Sequence, residues 1–328
     1  MSLTNFPNGV SSFGIPLMGN ARFAGWWGKS YFVDYDNGTA DGTCSGTEPT
    51  QAFKYLQDAI DVSKINDVVY VRNREEDITS TDPEAQTPAS TTNWSVAEAK
   101  THFSIIGASN VSHIPSQEGQ YGVYLRGDST TTATPVMDWR GAFGLVENLA
   151  FHRGASTSGL LSLTGNSTSL RALGTVVSNC LFRMDTSAVG GVYNIDNWFV
   201  TVYGCTFHDC DFGVNMVGSS STIRRVSILD CVFRNQTAAS VTANIQLSGS
   251  NTQDVQIRNC VFGPATPTAG TAKFINISNA ATGVLVNCTF PIDTAEGTTS
   301  MELNGLDATK CFQTVTTSHS DPIWGLAT

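Results

Sequence analysis

The chain has 328 residues, a formal net charge of −10 and only 14 % charged residues. A chain of this length buries about 75 % of the surface that its unfolded form exposes, so it needs no metal or disulfide to fold. The acidic balance argues against nucleic-acid binding, and no apolar run approaches the roughly 18 residues of a membrane-spanning helix. Short Val, Ile and Phe runs between Ser, Thr, Asn and Gly favour an all-β fold.

Residues 1–29 are predicted to form an N-terminal arm that binds a larger particle. No charged residue precedes Arg22, and the apolar side chains of the arm include Phe6, Phe13, Ile15 and Leu17. Burial against a partner protein and folding back onto the same chain both remain open. The arm lacks the basic flank and apolar core of a secretory signal, so we expect the protein to be made in a cytoplasm.

Residues 30–66 are predicted to hold a first strand and a short capping α-helix. The strand lies in "SYFVDYDNGTADG", and Phe53, Leu56 and Ile60 in "QAFKYLQDAID" have helical spacing. Pro49 and Thr50 suit the start of that helix. The helix would cover an open end of the fold, where backbone groups are otherwise unpaired.

A short pattern recurs six times within residues 67–295. Its central residues are separated by 31, 25, 26, 29 and 28 positions, a period typical of solenoids; they are Leu149, Cys180, Cys205, Cys231, Cys260 and Cys288. We predict one coil of a parallel β-helix per copy. Residues 296–328 would form a C-terminal closing segment.

Each copy predicts an interior column and a corner. A phenylalanine follows the central residue by two positions in every copy: Phe151, Phe182, Phe207, Phe233, Phe262 and Phe290. The preceding residue tolerates left-handed backbone and would form a ladder of polar side chains: Asn148, Asn179, Gly204, Asp230, Asn259 and Asn287. We interpret the cysteines as free thiols that fill the core, and we predict neither a metal site nor a cofactor.

Two groups of residues are candidates for chemistry or binding. His208, Asp209 and Asp211, with Asp185 and Asp196 nearby in the repeat, resemble a catalytic cluster, although such residues at a strand end more often form a turn. A basic column on successive coils could contact an acidic partner or an anionic glycan, or form a solvated edge; it comprises His152, Arg183, His208 and Arg234. The tripeptide from Arg126 to Asp128 is interpreted as a turn.

The segments "YFVDYDNGTADG", "QAFKYLQDAID", "DVVYVR", "SIIGAS" and the "NCxF" strokes make residues 30 to 290 resemble right-handed parallel β-helix proteins of the pectate-lyase type. More narrowly, "TNFPNGVSSFGIP" before "FVD" resembles virion proteins of tailed phages that form head decorations, head fibres or spikes. This resemblance implies a homotrimer on the particle surface, made in the host cytoplasm, whose arm binds the major capsid protein or another virion protein.

The resemblance leaves several functions to compare. The glycosidase strings of this fold, Asn-Thr-Asp, Asp-Asp and Gly-His-Gly, are absent, so we expect a non-enzymatic structural protein with weak glycan adhesion at most. The alternative is a tailspike adhesin or polysaccharide depolymerase of the same fold. A cellular carbohydrate esterase or lyase is a third class.

Overall fold

The computed structural model describes residues 11–12, 15–16, 28–39, 44–72, 94–108, 123–126, 135–153, 159–164, 172–184, 190–195, 198–217, 223–234, 243–249, 252–263, 273–279, 281–291, 301–309 and 311–314. Within these residues, three parallel sheets surround one continuous apolar core. Each complete coil crosses sheet 1, sheet 2 and sheet 3 in that order. The predicted all-β parallel β-helix with one short α-helix is confirmed.

Sheet 1 is the largest sheet of the described residues and contains β3 (Ser30–Val33), β4 (Val68–Val71), β6 (Ser104–Gly107), β9 (Leu145–Glu147), β12 (Val176–Ser178), β15 (Thr201–Tyr203), β18 (Ile223–Arg224), β19 (Ser227–Leu229), β22 (Thr252–Arg258), β25 (Ala281–Val286) and β28 (Asp307–Thr309). Sheet 2 contains β7 (Val123–Arg126), β10 (Leu149–Arg153), β13 (Leu181–Met184), β16 (Thr206–His208), β20 (Val232–Arg234), β23 (Val261–Phe262), β26 (Thr289–Pro291) and β29 (Phe312–Thr314). Sheet 3 contains β5 (Trp94–Val96), β8 (Met137–Trp139), β11 (Leu161–Thr164), β14 (Val192–Ile195), β17 (Phe212–Val217), β21 (Ala243–Ser248), β24 (Lys273–Ile277) and β27 (Met301–Glu302).

The phenylalanines form a continuous stack inside sheet 2. Neighbouring rings from Phe151 to Phe290 have centroids 4.6 to 5.1 Å apart and are nearly parallel, with interplanar angles of 5 to 9°. In-register pairing of the strands sets this spacing, because each phenylalanine lies opposite the next one. The stack therefore joins successive coils through one column of buried aromatic rings.

The corner between sheets 1 and 2 turns on one left-handed residue per coil. Asn148, Asn179, Gly204, Asp230, Asn259 and Asn287 all have φ between 51 and 62°. Asn259 donates a hydrogen bond to Asp230 Oδ1 and Asn287 donates one to Asn259 Oδ1, each at 2.9 Å. Gly204 has no side chain, so the ladder is interrupted at that coil. The polar residues thus close a sharp turn without left-handed strain on a bulky side chain.

The cysteine thiols next to this corner are free and have specific hydrogen-bond partners. Cys231 Sγ lies 3.2 Å from the carbonyl oxygen of Leu229 and 3.6 Å from that of Val202 in the preceding coil. Cys180, Cys205, Cys260, Cys288 and Cys311 repeat the arrangement. All eight cysteines of the chain are free. The thiols therefore fill the core and also serve as weak donors to corner carbonyls.

The capping helix is shorter than its sequence predicts. Pro49 begins a 3-10 turn at Pro49–Gln51, Ala52 is extended, and helix α1 spans Leu56–Val62. Phe53 lies outside the helix because its backbone pairs with β3, accepting from Asp34 N and donating to Phe32 O at 2.9 Å each. Helix α1 contacts β3 and β5, the terminal strands of sheets 1 and 3, so it covers the end of the solenoid as expected.

The coils continue past residue 295, where the sequence analysis placed a closing segment. Strands β27, β28 and β29 add one strand to sheets 3, 1 and 2, respectively, and Cys311 continues the cysteine column. Residues 315–328 lie outside the described residues.

Little of the N-terminal arm falls within the described residues. Ile15 belongs to a two-residue strand, β2 (Ile15–Pro16), that pairs antiparallel with β1 (Ser11–Ser12). Phe6, Phe13 and Leu17 lie outside the described residues. No helix in the described parts of the chain is long and apolar enough to cross a membrane.

Candidate functional site

The candidate catalytic group forms the corner that follows strand β16. Asp209 has a left-handed backbone with φ 54°, and its N–H donates to the carbonyl of Arg234 in the next coil at 2.9 Å. His208 Nδ1 lies 3.2 Å from Asp209 Oδ2, and both residues are buried, with 5 % and 7 % of their surface exposed. Asp211 is half-buried, and its carbonyl accepts from Ala243 N at 3.3 Å. These residues build a turn that joins two successive coils.

This arrangement offers little surface to a sugar. Hydrolysis of a glycosidic bond requires two carboxyl groups that flank the bond. The Asp209 carboxylate is buried beside His208, so it cannot flank a bound sugar. Asp185 and Asp196, the other carboxylates of the predicted cluster, lie outside the described residues. In the described parts of the chain, no group of three or more His, Cys, Asp or Glu residues has the geometry to hold a metal ion.

The basic column is in register and is longer than predicted. His152, Arg183, His208 and Arg234 pair directly across β10, β13, β16 and β20. Arg126 is the last residue of strand β7 and pairs with His152, so it extends the column by one coil. Gly127 and Asp128, the other residues of the predicted turn, lie outside the described residues. The sequence pattern assigned Arg126 to a turn, so the predicted column did not include it.

Only part of the basic column reaches solvent. His152 and His208 are buried, and the His152 ring lies 5.4 Å from that of Tyr124. Arg183 is half-buried and Arg234 is exposed. Since histidines alternate with arginines, the permanently charged groups lie two coils, about 9.6 Å, apart, which weakens their repulsion. A contact with an anion at this column would fall on Arg183 and Arg234.

A second corner, between sheets 3 and 1, carries residues that the sequence analysis did not single out. We call it the aromatic corner: His102, Phe143, Gly174, Phe199, Arg225 and Asp254. The backbone N–H of each member from His102 to Arg225 donates to a backbone carbonyl in the next coil, that of the residue just before the next member. The N–H of Phe199, for example, donates to the carbonyl oxygen of Arg224 at 3.0 Å. The N–H of Asp254 donates instead to Thr282 Oγ1 at 3.2 Å. From Phe143 onward these are the sixth residues before the central residues of the repeat. Aligning the copies over a longer window would therefore have found the column.

The members of the aromatic corner interact in pairs along the solenoid. The His102 and Phe143 rings stack at 5.0 Å, and the Arg225 guanidinium lies 5.1 Å from the Phe199 ring. Arg225 Nε is 3.7 Å from Asp254 Oδ2. Beside Phe199 and Arg225, a groove of ≈ 520 Å³ opens on the outer face of sheet 1.

Comparison with known proteins adds little to this geometry. No family model matches the chain, and no curated protein matches it. One solved structure with a similar fold is a rhamnogalacturonan lyase, with 13 % sequence identity and a TM-score of 0.43 over 81 % of this chain and 69 % of that one. Similarity at this level carries no argument about activity. The fold assignment rests on the three parallel sheets themselves.

Proposed function

We propose that this protein is a non-enzymatic structural component of a tailed-phage particle. It would be a trimeric β-helix that decorates the capsid or projects from it as a short head fibre. The arm at residues 1–29 would bind the major capsid protein or another virion protein. The protein would be made in the host cytoplasm and displayed on the particle surface.

The environment of Asp209, the best catalytic candidate, supports the non-enzymatic part of this proposal. The backbone of Asp209 forms a left-handed corner, and its carboxylate is buried beside His208. Asp209 therefore stabilises the fold and does not form an accessible pair of carboxylates that could flank a glycosidic bond. The stacked phenylalanines, the cysteine column and the left-handed corner between sheets 1 and 2, which we call the asparagine corner, repeat from coil to coil, which suits a rigid scaffold.

The arm carries the particle-binding part of the proposal. Its apolar residues Phe6, Phe13, Ile15 and Leu17 are not accompanied by any charge before Arg22, a composition suited to burial at an interface. Its resemblance to the opening of tailed-phage head proteins points the same way. Once many copies are displayed, even weak glycan contacts by Arg183 and Arg234 would add through avidity.

Co-sedimentation with capsids tests this proposal directly. The full chain and a Phe6→Ser/Phe13→Ser variant would each be mixed with capsids assembled from the major capsid protein of the same phage. We expect the full chain to sediment with capsids and the variant to remain in solution with unchanged circular dichroism. A double substitution of exposed coil residues, Val261→Ser/Thr309→Ser, is the matched control. Failure of the full chain to bind any component of the particle contradicts the proposal.

The alternative, a tailspike adhesin or depolymerase, is favoured by the open groove on sheet 1. An assay for new reducing ends or unsaturated sugars on host surface polysaccharide separates the two readings. The structural proposal predicts no turnover. Turnover that is lost in Asp209→Asn, a replacement that tolerates the same left-handed backbone, would establish an enzyme instead.

A further inference from the structure

The outer face of sheet 3 carries a column of uncharged polar side chains. Along β11, β14, β17, β21 and β24, buried core residues alternate with residues that point outward, because successive side chains of a strand lie on opposite faces. The outward residues pair directly from coil to coil. We call them the amide face: Ser162, Tyr193, Asn215, Gln246 and Asn276.

The strands of the amide face form a neutral strip. The positions two residues further along four of these strands are also uncharged: Thr164, Ile195, Val217 and Ser248. Charged residues flank the strip at both ends, where Asp138 pairs with Ser162 and Glu302 pairs with Asn276. Five coils separated by about 4.8 Å give the strip a length of about 19 Å.

Two side-chain oxygens of the amide face lack a hydrogen-bond donor. Asn215 is only 5 % exposed, and its Oδ1 atom is buried without a partner. The same is true of Oε1 of Gln246, which lies opposite Asn215 in the next coil. Folded proteins rarely leave buried acceptors unsatisfied, so these atoms require an explanation. A rotation of either amide toward the outer surface would allow its oxygen to accept from a second molecule.

Rotational symmetry restricts the face by which a solenoid can meet its own copies. When three parallel solenoids surround a threefold axis that runs along them, each residue at the axis meets the same residue of the other two copies. A charged residue there would meet like charges, which repel. The basic column makes sheet 2 unsuitable for this position, and Glu147 and Arg258 on the outer column of sheet 1 make that sheet unsuitable.

The amide face meets this restriction because its groups are neutral and self-complementary. A side-chain amide both donates and accepts hydrogen bonds. Three copies of Asn215, or three of Gln246, can therefore each donate to the next copy and close a ring at the axis. Such a ring would supply the donor that Oδ1 of Asn215 and Oε1 of Gln246 lack in the single chain.

We propose that the amide face is the surface through which three copies of this chain pack around a threefold axis. The inference rests on the trimer in the proposed function and adds the face, the register and the kind of contact. Tyr193, which is half-buried in the single chain, supplies aromatic contact area of the kind that is enriched at protein interfaces. The copies lie parallel and without stagger, since equivalent residues meet at the same height.

Oxidative cross-linking of the full chain locates the face. All variants carry Cys44→Ser, which removes the one cysteine that is not fully buried. Gln246→Cys places a thiol at the proposed axis, so oxidation with copper–phenanthroline should give covalent dimers on a denaturing gel. Gln256→Cys on sheet 1 and Val261→Cys on sheet 2 are the matched controls at exposed positions and should stay monomeric on the same gel.

A charge added to the face tests the argument from neutrality. Gln246→Glu would place three carboxylates around the axis, so the concentration at which the trimer dissociates should rise by about tenfold or more at low salt. High salt should reverse much of this effect. Gln256→Glu makes the same substitution on sheet 1 and should leave the dissociation unchanged. Sedimentation velocity measures the dissociation, and circular dichroism verifies that both variants are folded.

The outcomes distinguish this inference from the proposed function. A trimer that does not cross-link through Gln246→Cys, or that both glutamate variants weaken equally, overturns the choice of face and leaves the virion role standing. A trimer that cross-links through Gln246→Cys but binds no component of the particle supports the face and contradicts the virion role. A wild-type chain that is monomeric in light scattering overturns the trimer and this inference together.

Discussion

Asn259 shows how one residue combines a backbone and a side-chain role. Its φ of 54° places it in the left-handed region, its amide nitrogen donates to Asp230, and its amide oxygen accepts from Asn287. Asparagine suits this position because its side chain lowers the cost of left-handed backbone. The same reasoning explains why every residue of the asparagine corner is Asn, Asp or Gly.

Substitutions at Asn259 should separate the two roles. We expect Asn259→Gly to lower the free energy of unfolding by about 1 kcal/mol through lost hydrogen bonds. Asn259→Ala should cost about 1 to 2 kcal/mol more, because alanine is strained in left-handed backbone. Urea denaturation measures both. Equal losses for the glycine and alanine variants would contradict the left-handed corner.

The cysteines should differ sharply in reactivity. Cys44 is half-buried, whereas the other seven cysteines are fully buried. Burial raises the pKa of Cys205, Cys210 and Cys231, and the Cys231 thiol, together with burial, raises that of Cys260. We expect a maleimide to label Cys44 alone in the folded chain, and Cys44→Ser to abolish native labelling. Rapid labelling of several thiols before unfolding would disprove the buried column.

At the residue scale, the residue types of the corner between sheets 1 and 2 predict its left-handed backbone, whereas those of the aromatic corner do not, although its spacing in the repeat marks its position. Asn, Asp and Gly indicate left-handed backbone in a sequence, because they adopt this conformation at the lowest energetic cost. Phe199 and Arg225 carry no such signal; tertiary structure imposes their conformation. The sequence likewise did not predict the buried contact between His208 and Asp209. The prediction that these residues form a turn agrees with the φ of Asp209.

The phenylalanine stack is the element that links the coils most directly. Phe233 lies between Phe207 and Phe262 with centroids 4.9 Å away on both sides. Phe233→Ala should lower the free energy of unfolding by about 3 to 5 kcal/mol, through lost contacts and a cavity. Val261→Ala, a 44 % exposed neighbour on β23, should change it by about 0.5 kcal/mol or less. A loss below about 1 kcal/mol for Phe233→Ala would contradict the register.

The cysteine column predicts a loss of stability in alkali. The hydrogen bond that the Cys288 thiol donates to Cys260, together with burial, raises the pKa of Cys288 from 9.0 to about 12. Unfolded cysteines ionise near 9.0 while the folded ones stay protonated, so stability falls as pH rises above 9.0. Each thiol contributes about 1.4 kcal/mol per pH unit in that window. Urea denaturation at about pH 8 and about pH 10 measures the fall. An equal fall in Cys231→Ala and wild type would assign it to other groups.

At the element scale, the repeat predicted the coils but not their ends. Pro49 suggested an α-helix, whereas pairing of Phe53 with β3 delays the helix to Leu56. The last coil was missed because Gln313 occupies the position opposite Phe290, so the phenylalanine pattern stops while the strands continue. Edge pairing thus decides where elements begin, and the local sequence pattern does not contain that information.

The whole molecule combines a repetitive interior with two distinctive outer surfaces. The basic column lies on sheet 2, and the groove beside the aromatic corner lies on sheet 1. The sequence predicted the fold because each coil repeats one pattern, whereas the groove arises from neighbours on four coils. Surfaces of this kind depend on register, which a single copy of the repeat does not reveal.

The molar mass of the full chain in solution tests the central claim most directly. The proposed virion role predicts a homotrimer, so multi-angle light scattering should give three times the mass of one chain over a wide concentration range. The Phe6→Ser/Phe13→Ser variant separates trimerisation by the coils from trimerisation by the arm. A monomer at every concentration would contradict the account and would favour a single-chain glycan-binding protein.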